Sequence, residues 1–444
     1  MRAFAQGLDG LAQVGFGAGA IGAQGYSSAM RGGPLQPGDR TIAPRWCRLA
    51  ALVCFALLCP AAQAAAAAAP EPRLLDLSVA ERQQIGSLGP WPPAPRRDPG
   101  NRVSGRPMAI ELGRLLFRDP RMSPVGYIAC VTCHQPDRAF TDLKPRAHGL
   151  GDLPRNTPAL ANLSQQRWYG WGGASDSLWM ASMRPILDAR EFDGSAASVQ
   201  RPFELVAELA ACYRRVFGVS ALAQPQRTLV NVGKALAAYV ETLVTERTPF
   251  DDFRDAVVRG DAAAAAAYPA AALRGLKLFV GRAGCVACHN GPNFSDGGFH
   301  PGAAPADDIA KVVAASLADT GRLDDARRLR ASPLNLLGPT NDDRTRRNAA
   351  ATGALQLHPG LRGQYRTPTL RNVAVTAPYF HDGHEERLTD ALQHPTRLAS
   401  TAAALPAQPL EAGEVDDLAA FLGTLTDAHG ARRPWSSVGN VHCP

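Results

Sequence analysis

The chain has 444 residues, 45% of them hydrophobic, and a formal net charge of +7. That is length for two or three domains and enough apolar side chains for buried cores. The first 69 residues hold five Arg and two Asp, so the remainder carries only +4, and no long basic run marks a nucleic-acid-binding protein.

In chain order, residues 44–65 read PRWCRLAALVCFALLCPAAQAA. Arg45 and Arg48, an apolar run of about a dozen residues and a small-residue stretch form the layout of a secretory signal. The run is short for a membrane span. Cleavage is expected near residues 64–70, which places the mature protein in the periplasm, an oxidising compartment. Of nine cysteines, Cys47, Cys54 and Cys59 leave with the signal. Cys212 and Cys443 can pair or stay apart, and the sequence does not decide.

The rest of the chain repeats itself. GRLLF (113–117), CVTCH (130–134), FTD (140–142) and RNTPALANL (155–163) reappear in the same order as GLKLF (275–279), CVACH (285–289), FSD (294–296) and RTPTLRNV (366–373). This is an internal duplication of whole domains rather than a short solenoid repeat. Between the copies, Leu229, Val232, Leu236, Val240 and Leu243 fall three and four apart and predict an amphipathic helix over 227–244. Residues 261–273 are an alanine-rich lead into the second copy. The polar, loop-rich stretch 301–362 is expected over the surface of the second domain. Val415, Leu418, Leu422 and Leu425 predict a helix over 411–426. Alternating strand patterns are scarce. The expected fold is mostly α: two related domains in tandem with long irregular loops. Residues 1–69 are the N-terminal extension and signal, 70–250 and 251–432 the two domains, and 433–444 a C-terminal tail.

CxxCH decides the chemistry. Two thiols one helical turn apart can each form a thioether with a haem vinyl group, and the next residue supplies an axial imidazole. A zinc site needs about four ligands, usually two paired motifs, and a redox dithiol has no use for the trailing His twice. Cys130, Cys133 and His134 therefore attach one c-type haem, and Cys285, Cys288 and His289 a second.

Two haems alone carry electrons; peroxide cleavage also needs a proton-handling side chain. Together with these motifs, PWPPAPRRDPGNRVSG, ELGRLLFRDPRMS, PILDAREF and RTPTLRNVAVTAPYFHDG resemble the bacterial di-haem cytochrome c peroxidase family, which includes MauG-type enzymes that mature a quinone cofactor in a partner protein. The resemblance runs from about residue 75 to 426 and implies a mostly α fold of two tandem cytochrome c-like haem domains with long irregular loops. It implies that the first haem is peroxidatic and the second receives electrons. It implies Glu191, after Pro185-Ile186-Leu187, as the distal acid–base group, and Trp171 as the aromatic between the haems. On residues alone, an ordinary core aromatic is the lesser reading of Trp171, and Glu191 would be a surface acid. Ala181 stands where the family commonly has Gln. His148 falls where resting peroxidases have a loop histidine that caps the first haem, a cap MauG-type members lack. Family calcium would lie at Asn156, Thr376 and Pro378, all offering oxygen. The family's sixth ligand to the second iron, Met or Tyr, aligns with Pro395. No methionine follows Met183, so His394 is the expected substitute, with His381 and His384 as rivals.

The expected activity is reduction of hydrogen peroxide to water with electrons from a small c-type cytochrome or blue-copper protein. The alternatives are a MauG-like oxidase acting on a protein substrate and a non-catalytic di-haem electron carrier. A homodimer is compatible with this reading.

Overall fold

The computed structural model describes residues 74–302, 319–394, 409–429 and Cys443. The signal-like segment and Pro395 lie outside the described residues. The described chain is mostly helical. Its one sheet is a pair of short antiparallel strands, Phe299–Pro301 and Gln364–Arg366, with His300 opposite Tyr365. Among the described residues no helix is long and apolar enough to cross a membrane.

Two hydrophobic cores organise the fold. In the first, the helix Pro225–Val240 begins with proline at its first turn and buries nearly every side chain from Thr228 onward, the stripe its periodicity predicts. The helices Pro107–Phe117 and Leu178–Leu187 pack against it. In the second core, the helix Ala270–Val280 packs on Ala412–Gly423, which buries Val415, Leu418, Phe421 and Leu422.

The two helix crossings are copies of each other, and each is set by the glycine of the repeated motif. A methyl group on Gly113 would run into the carbonyl oxygen of Ala235, and one on Gly275 into that of Asp417. Absence of a side chain is what lets the backbones meet there.

Two expectations of chain organisation are corrected. The segment 74–88 was expected in the first domain. Its Leu77, Ile85 and Leu88 instead pack with Phe250, Phe253 and Leu276 in the second core, and Arg254 ties the segment down by donating from Nε to Gly86 O at 3.1 Å. The stretch 301–362 was expected over the second domain. Its described part crosses to the first, where Leu329, Leu336 and Ala349 join the core. Charges hold it there: Arg155 pairs with Asp319 and Asp325 at 2.6 Å each, and buried Lys234 meets Asp342 at 2.6 Å. Arg322 donates to Gly172 O and Gly173 O at 3.0 and 2.9 Å. The helix Arg322–Ala331 reads as a solvated surface in sequence, but its Arg322 and Asp325 find partners on the opposite domain, while Arg327 pairs with Asp324 at the surface.

Cys212 is fully buried in the first core and forms a disulfide with Cys443, Cα–Cα 5.2 Å. The pairing left open by the sequence is thus settled, and it anchors the end of the chain to the first domain.

Candidate functional site

Each CxxCH motif opens into its own cavity. The first, about 370 Å³, is walled by Cys130, Cys133, His134, Phe117, Leu178 and Leu236, among others. The second, about 290 Å³, is walled by Cys285, Cys288, His289, Phe279, Leu418 and Leu422, among others. Both are near the size of ordinary cofactor pockets, roughly 300–1,000 Å³.

The histidines are prepared alike. His134 Nδ1 meets Phe140 O at 3.0 Å, and His289 Nδ1 meets Phe294 O at 3.0 Å. With Nδ1 donating to a carbonyl, Nε2 carries the lone pair that can bind a metal. Both accepting residues sit in the left-handed region, Phe140 at φ 60° and Phe294 at φ 51°. That backbone is uncommon for a large side chain, and here the FTD and FSD turns use it to aim a carbonyl at the ring. Burial lowers both imidazole pKa values, which favours the neutral ligand form. The four CxxCH thiols are free of disulfides. Burial pushes Cys130 up to about 12 and Cys133 up to about 11, the reverse of the acidified thiol of a redox dithiol. Neutral imidazoles, protected thiols and an apolar cavity at each motif fit a covalently attached haem.

Glu191 lines the first cavity with His134. The helix Leu178–Leu187 carries Pro185 in its last turn and ends there. The following turn is closed by Glu191 N to Asp188 O at 3.0 Å, and buried Phe192 anchors it. Burial raises the Glu191 carboxyl to about 7; Asp188 adds to the rise, while Arg184 and Arg190 oppose it. Ala181 lines the same cavity, so the distal wall presents a methyl group where a polar side chain was expected from the family.

The His148 loop lies against the back of this acid. Gly151 N donates to Arg190 O at 2.9 Å, and a methyl on Gly149 would strike Arg190 O and Glu191 Cα. The histidine ring itself does not cap the cavity, contrary to expectation. It is 56% exposed at the side chain and bonded through Nδ1 to Asp152 at 2.8 Å. The carboxylate four residues on offers a solvated ring a partner outside the pocket.

Trp171 stands where both cavities meet and lines each of them. Its Nε1 donates to Asn156 O at 2.9 Å. Asn156 N donates to His381 O at 2.7 Å, and Arg366 N donates to Trp171 O at 2.7 Å. Trp171 is thus held by both halves of the chain, the indole by the first and the backbone carbonyl by the second. Buried Arg366 also lines both cavities, and desolvation lowers its pKa to about 10. Arg155 and Arg366 open the repeated RNTP and RTP loops. Sequence reading passed over both as chemistry, although their recurrence at equivalent places was the available signal.

Asn156 is brought against the 376–381 segment. Its amide nitrogen donates to Lys144 O at 2.9 Å, leaving Oδ1 as the oxygen it can offer. The Thr376 hydroxyl bonds within its own turn, to Val373 O at 3.2 Å.

The expectation for His394 is corrected. It is buried but is not among the residues lining the second cavity. Helix Leu388–Gln393 ends before it, and its backbone turns extended at φ −60°, ψ 132°, as a residue before proline prefers. That turn carries the ring behind Phe380, 5.2 Å away between centroids. Besides His289, the described side chains of this cavity able to bind iron include His300, His381, Tyr365 and Tyr379. His300 is paired with Asp296 at 2.8 Å. His381 stacks on Tyr365 at 3.7 Å, and burial depresses its pKa to about 4.

Known proteins resemble this chain in sequence and in fold. The model of the family described as di-haem cytochrome c peroxidase matches residues 107–261. The chain is 31% identical over 325 residues to the methylamine utilization protein MauG of Methylorubrum extorquens, covering 72% of this chain and 78% of that protein. It is 29% identical to the cytochrome c551 peroxidase of Pseudomonas aeruginosa, covering 71% and 78%. Among solved structures it resembles the dihaem peroxidase BthA of Burkholderia thailandensis, with TM-score 0.58, 25% identity and coverage of 76% and 88%. A MauG-like protein associated with microbial copper homeostasis matches with TM-score 0.56, 25% identity and coverage of 79% and 98%.

Proposed function

The chain belongs to the di-haem cytochrome c peroxidase family of oxidoreductases, and from that premise we propose that it reduces hydrogen peroxide at the first cavity with electrons received through the second. The observation that carries this reading is Glu191 facing the same cavity as Cys130, Cys133 and His134. The overall reaction consumes one peroxide, two electrons and two protons and yields two waters. The two haems supply the redox chemistry when bound. Cys130 and Cys133, with Cys285 and Cys288, hold them by thioethers, and His134 and His289 offer Nε2 to the irons.

The remaining work falls to this chain's own side chains. Glu191, ionised, accepts a proton from the near oxygen of peroxide and returns it to the leaving oxygen as water forms. Leu178, Leu236 and Val240 give that cavity apolar walls. Trp171 places a π system between the two cavities, with Arg366 beside it as a fixed positive charge.

The donor in this proposal is a small c-type cytochrome or a blue-copper protein, and the compartment is the periplasm. The signal-like segment 44–65 and the Cys212–Cys443 disulfide both suit an oxidising compartment. One calcium ion is proposed at Asn156 Oδ1 with the carbonyls of Thr376 and Pro378, a hard-oxygen set.

A second reading, a MauG-like oxidase acting on a partner protein, is favoured by Ala181, which removes a polar group from the peroxide side. Stopped-flow and steady-state measurement with peroxide separate the two. Sustained donor oxidation, two electrons per peroxide, supports the peroxidase. A protein that reacts with one equivalent of peroxide and then fails to turn over with any small redox donor is the MauG-like enzyme. Indifference of both haems to peroxide refutes both and leaves an electron carrier.

A further inference from the structure

The repeat supplies a control for reading the second half. The turn Tyr169–Ser175 is closed by a Tyr169–Ser175 bridge, and its copy Tyr379–Glu385 by a Tyr379–Glu385 bridge. In that register His384 and Glu385 replace Ala174 and Ser175, and His394 replaces Arg184. The frame that holds a haem is shared by both halves and needs none of these three substitutions.

The three side chains converge. His384, Glu385 and His394 each offer a ligand atom, and these atoms all lie within 4.8 Å of one another. None of the three is among the residues lining the second haem cavity. The two imidazoles approach edge to face at 5.3 Å, with Phe380 stacked on His384 at 4.8 Å as an apolar wall.

His384 gives the second observation. Its Nδ1 bonds to the Asp382 carboxylate, so the other nitrogen, Nε2, carries the lone pair. That nitrogen is shut off from solvent and has no hydrogen-bond partner. A buried polar atom left unmatched is unfavourable, and a carboxylate that fixes the far nitrogen of a histidine is the usual support of a metal ligand.

We propose that His384, Glu385 and His394 form a binding site for a single divalent transition-metal ion of the zinc and copper class, separate from both haems, with Asp382 orienting His384. Two imidazoles and one carboxylate without a thiolate suit that class; calcium and magnesium prefer all-oxygen shells. Three protein ligands leave a fourth position for water. The ion joins the turn after Tyr379 to the end of the helix Leu388–Gln393. Because Leu388, Ala391 and Leu392 of that helix line the second cavity, the ion braces one wall of it from behind.

The test uses the full-length protein carrying both haems, stripped with a chelator and dialysed against zinc ions. Elemental analysis should find one zinc per chain beside two irons. Zinc-edge X-ray absorption should show two imidazoles and oxygen neighbours at ~2.0–2.1 Å. His384→Ala, His394→Ala and Glu385→Gln should each abolish stoichiometric binding or weaken it at least tenfold, and Asp382→Asn should weaken it roughly 10–100-fold. Haem content by pyridine haemochrome, two per chain, certifies that each variant has folded; if a histidine variant loses haem, partly exposed Glu385→Gln carries the comparison. Zinc binding equal to wild type in the folded variants overturns the proposal. So does an absorption edge without imidazole, or a His394→Ala protein whose second haem turns from low-spin to high-spin while zinc binding is unchanged. Because haem content and peroxide reactivity are read separately, loss of the zinc site leaves the peroxidase reading standing.

Discussion

Glu191→Gln, read across pH, tests the centre of the mechanism. Glutamine keeps the shape and burial of the side chain but cannot accept a proton. A general acid–base group contributes ~10²–10⁴-fold, so the second-order rate of peroxide reaction at the first haem should fall by that order. The wild-type pH profile carries more information. Burial raises the Glu191 carboxyl to about 7, with Asp188 adding to the rise. A raised carboxylate pKa means the accepting form is scarce in acid and abundant above neutrality. The ionised fraction grows from ~1% at pH 5 to ~90% at pH 8, so the rate should climb roughly 90-fold between them; an exposed glutamate with its ordinary pKa near 4.3 would give less than twofold. Stopped-flow absorbance at constant ionic strength, with peroxide in excess, reads this directly. Glu191→Gln should abolish the climb as well as the rate. A flat wild-type profile from pH 5 to 8 refutes the buried-base argument. A climb that survives in Glu191→Gln places the proton path on another group.

Other outcomes follow from the same geometry. Cys130→Ser combined with Cys133→Ser should leave one haem per chain by pyridine haemochrome assay; zero or two would overturn the assignment of one haem to each cavity. Trp171→Gly should slow electron equilibration between the haems, measured by flash reduction, while peroxide still reacts at the first; an unchanged rate would remove the indole from the path. Arg371 and Asp251 form a fully buried ion pair at 2.9 Å beneath the Trp91 ring. Arg371→Leu strands the carboxylate and should cost ~3–5 kcal/mol of stability by urea melt, whereas a loss under 1 kcal/mol would mean that water reaches the site.

The sequence by itself determined the haem chemistry and the helical plan. CxxCH works within one helical turn, so its meaning is local and spacing alone discloses it. The stripes at Leu229–Leu243 and Val415–Leu425 are likewise written at helical period, and both helices form. The duplication was legible because it repeats whole motifs, down to the glycines where helices cross. Only the tertiary structure decided what depends on segments far apart in the chain. It carried residues 74–88 to the second core and residues 319–350 to the first, since partners such as Lys234 for Asp342 lie more than a hundred residues away. It set Trp171 and Arg366 at the boundary of both cavities, where each is held by the opposite half. It turned His148 outward to Asp152 and His394 behind Phe380, although both had been placed on iron by position in the chain. A side chain's direction is fixed by what packs around it: His148 and His394 follow partners in their own half, whereas Trp171 and Arg366 take theirs from loops that meet only when the two halves dock.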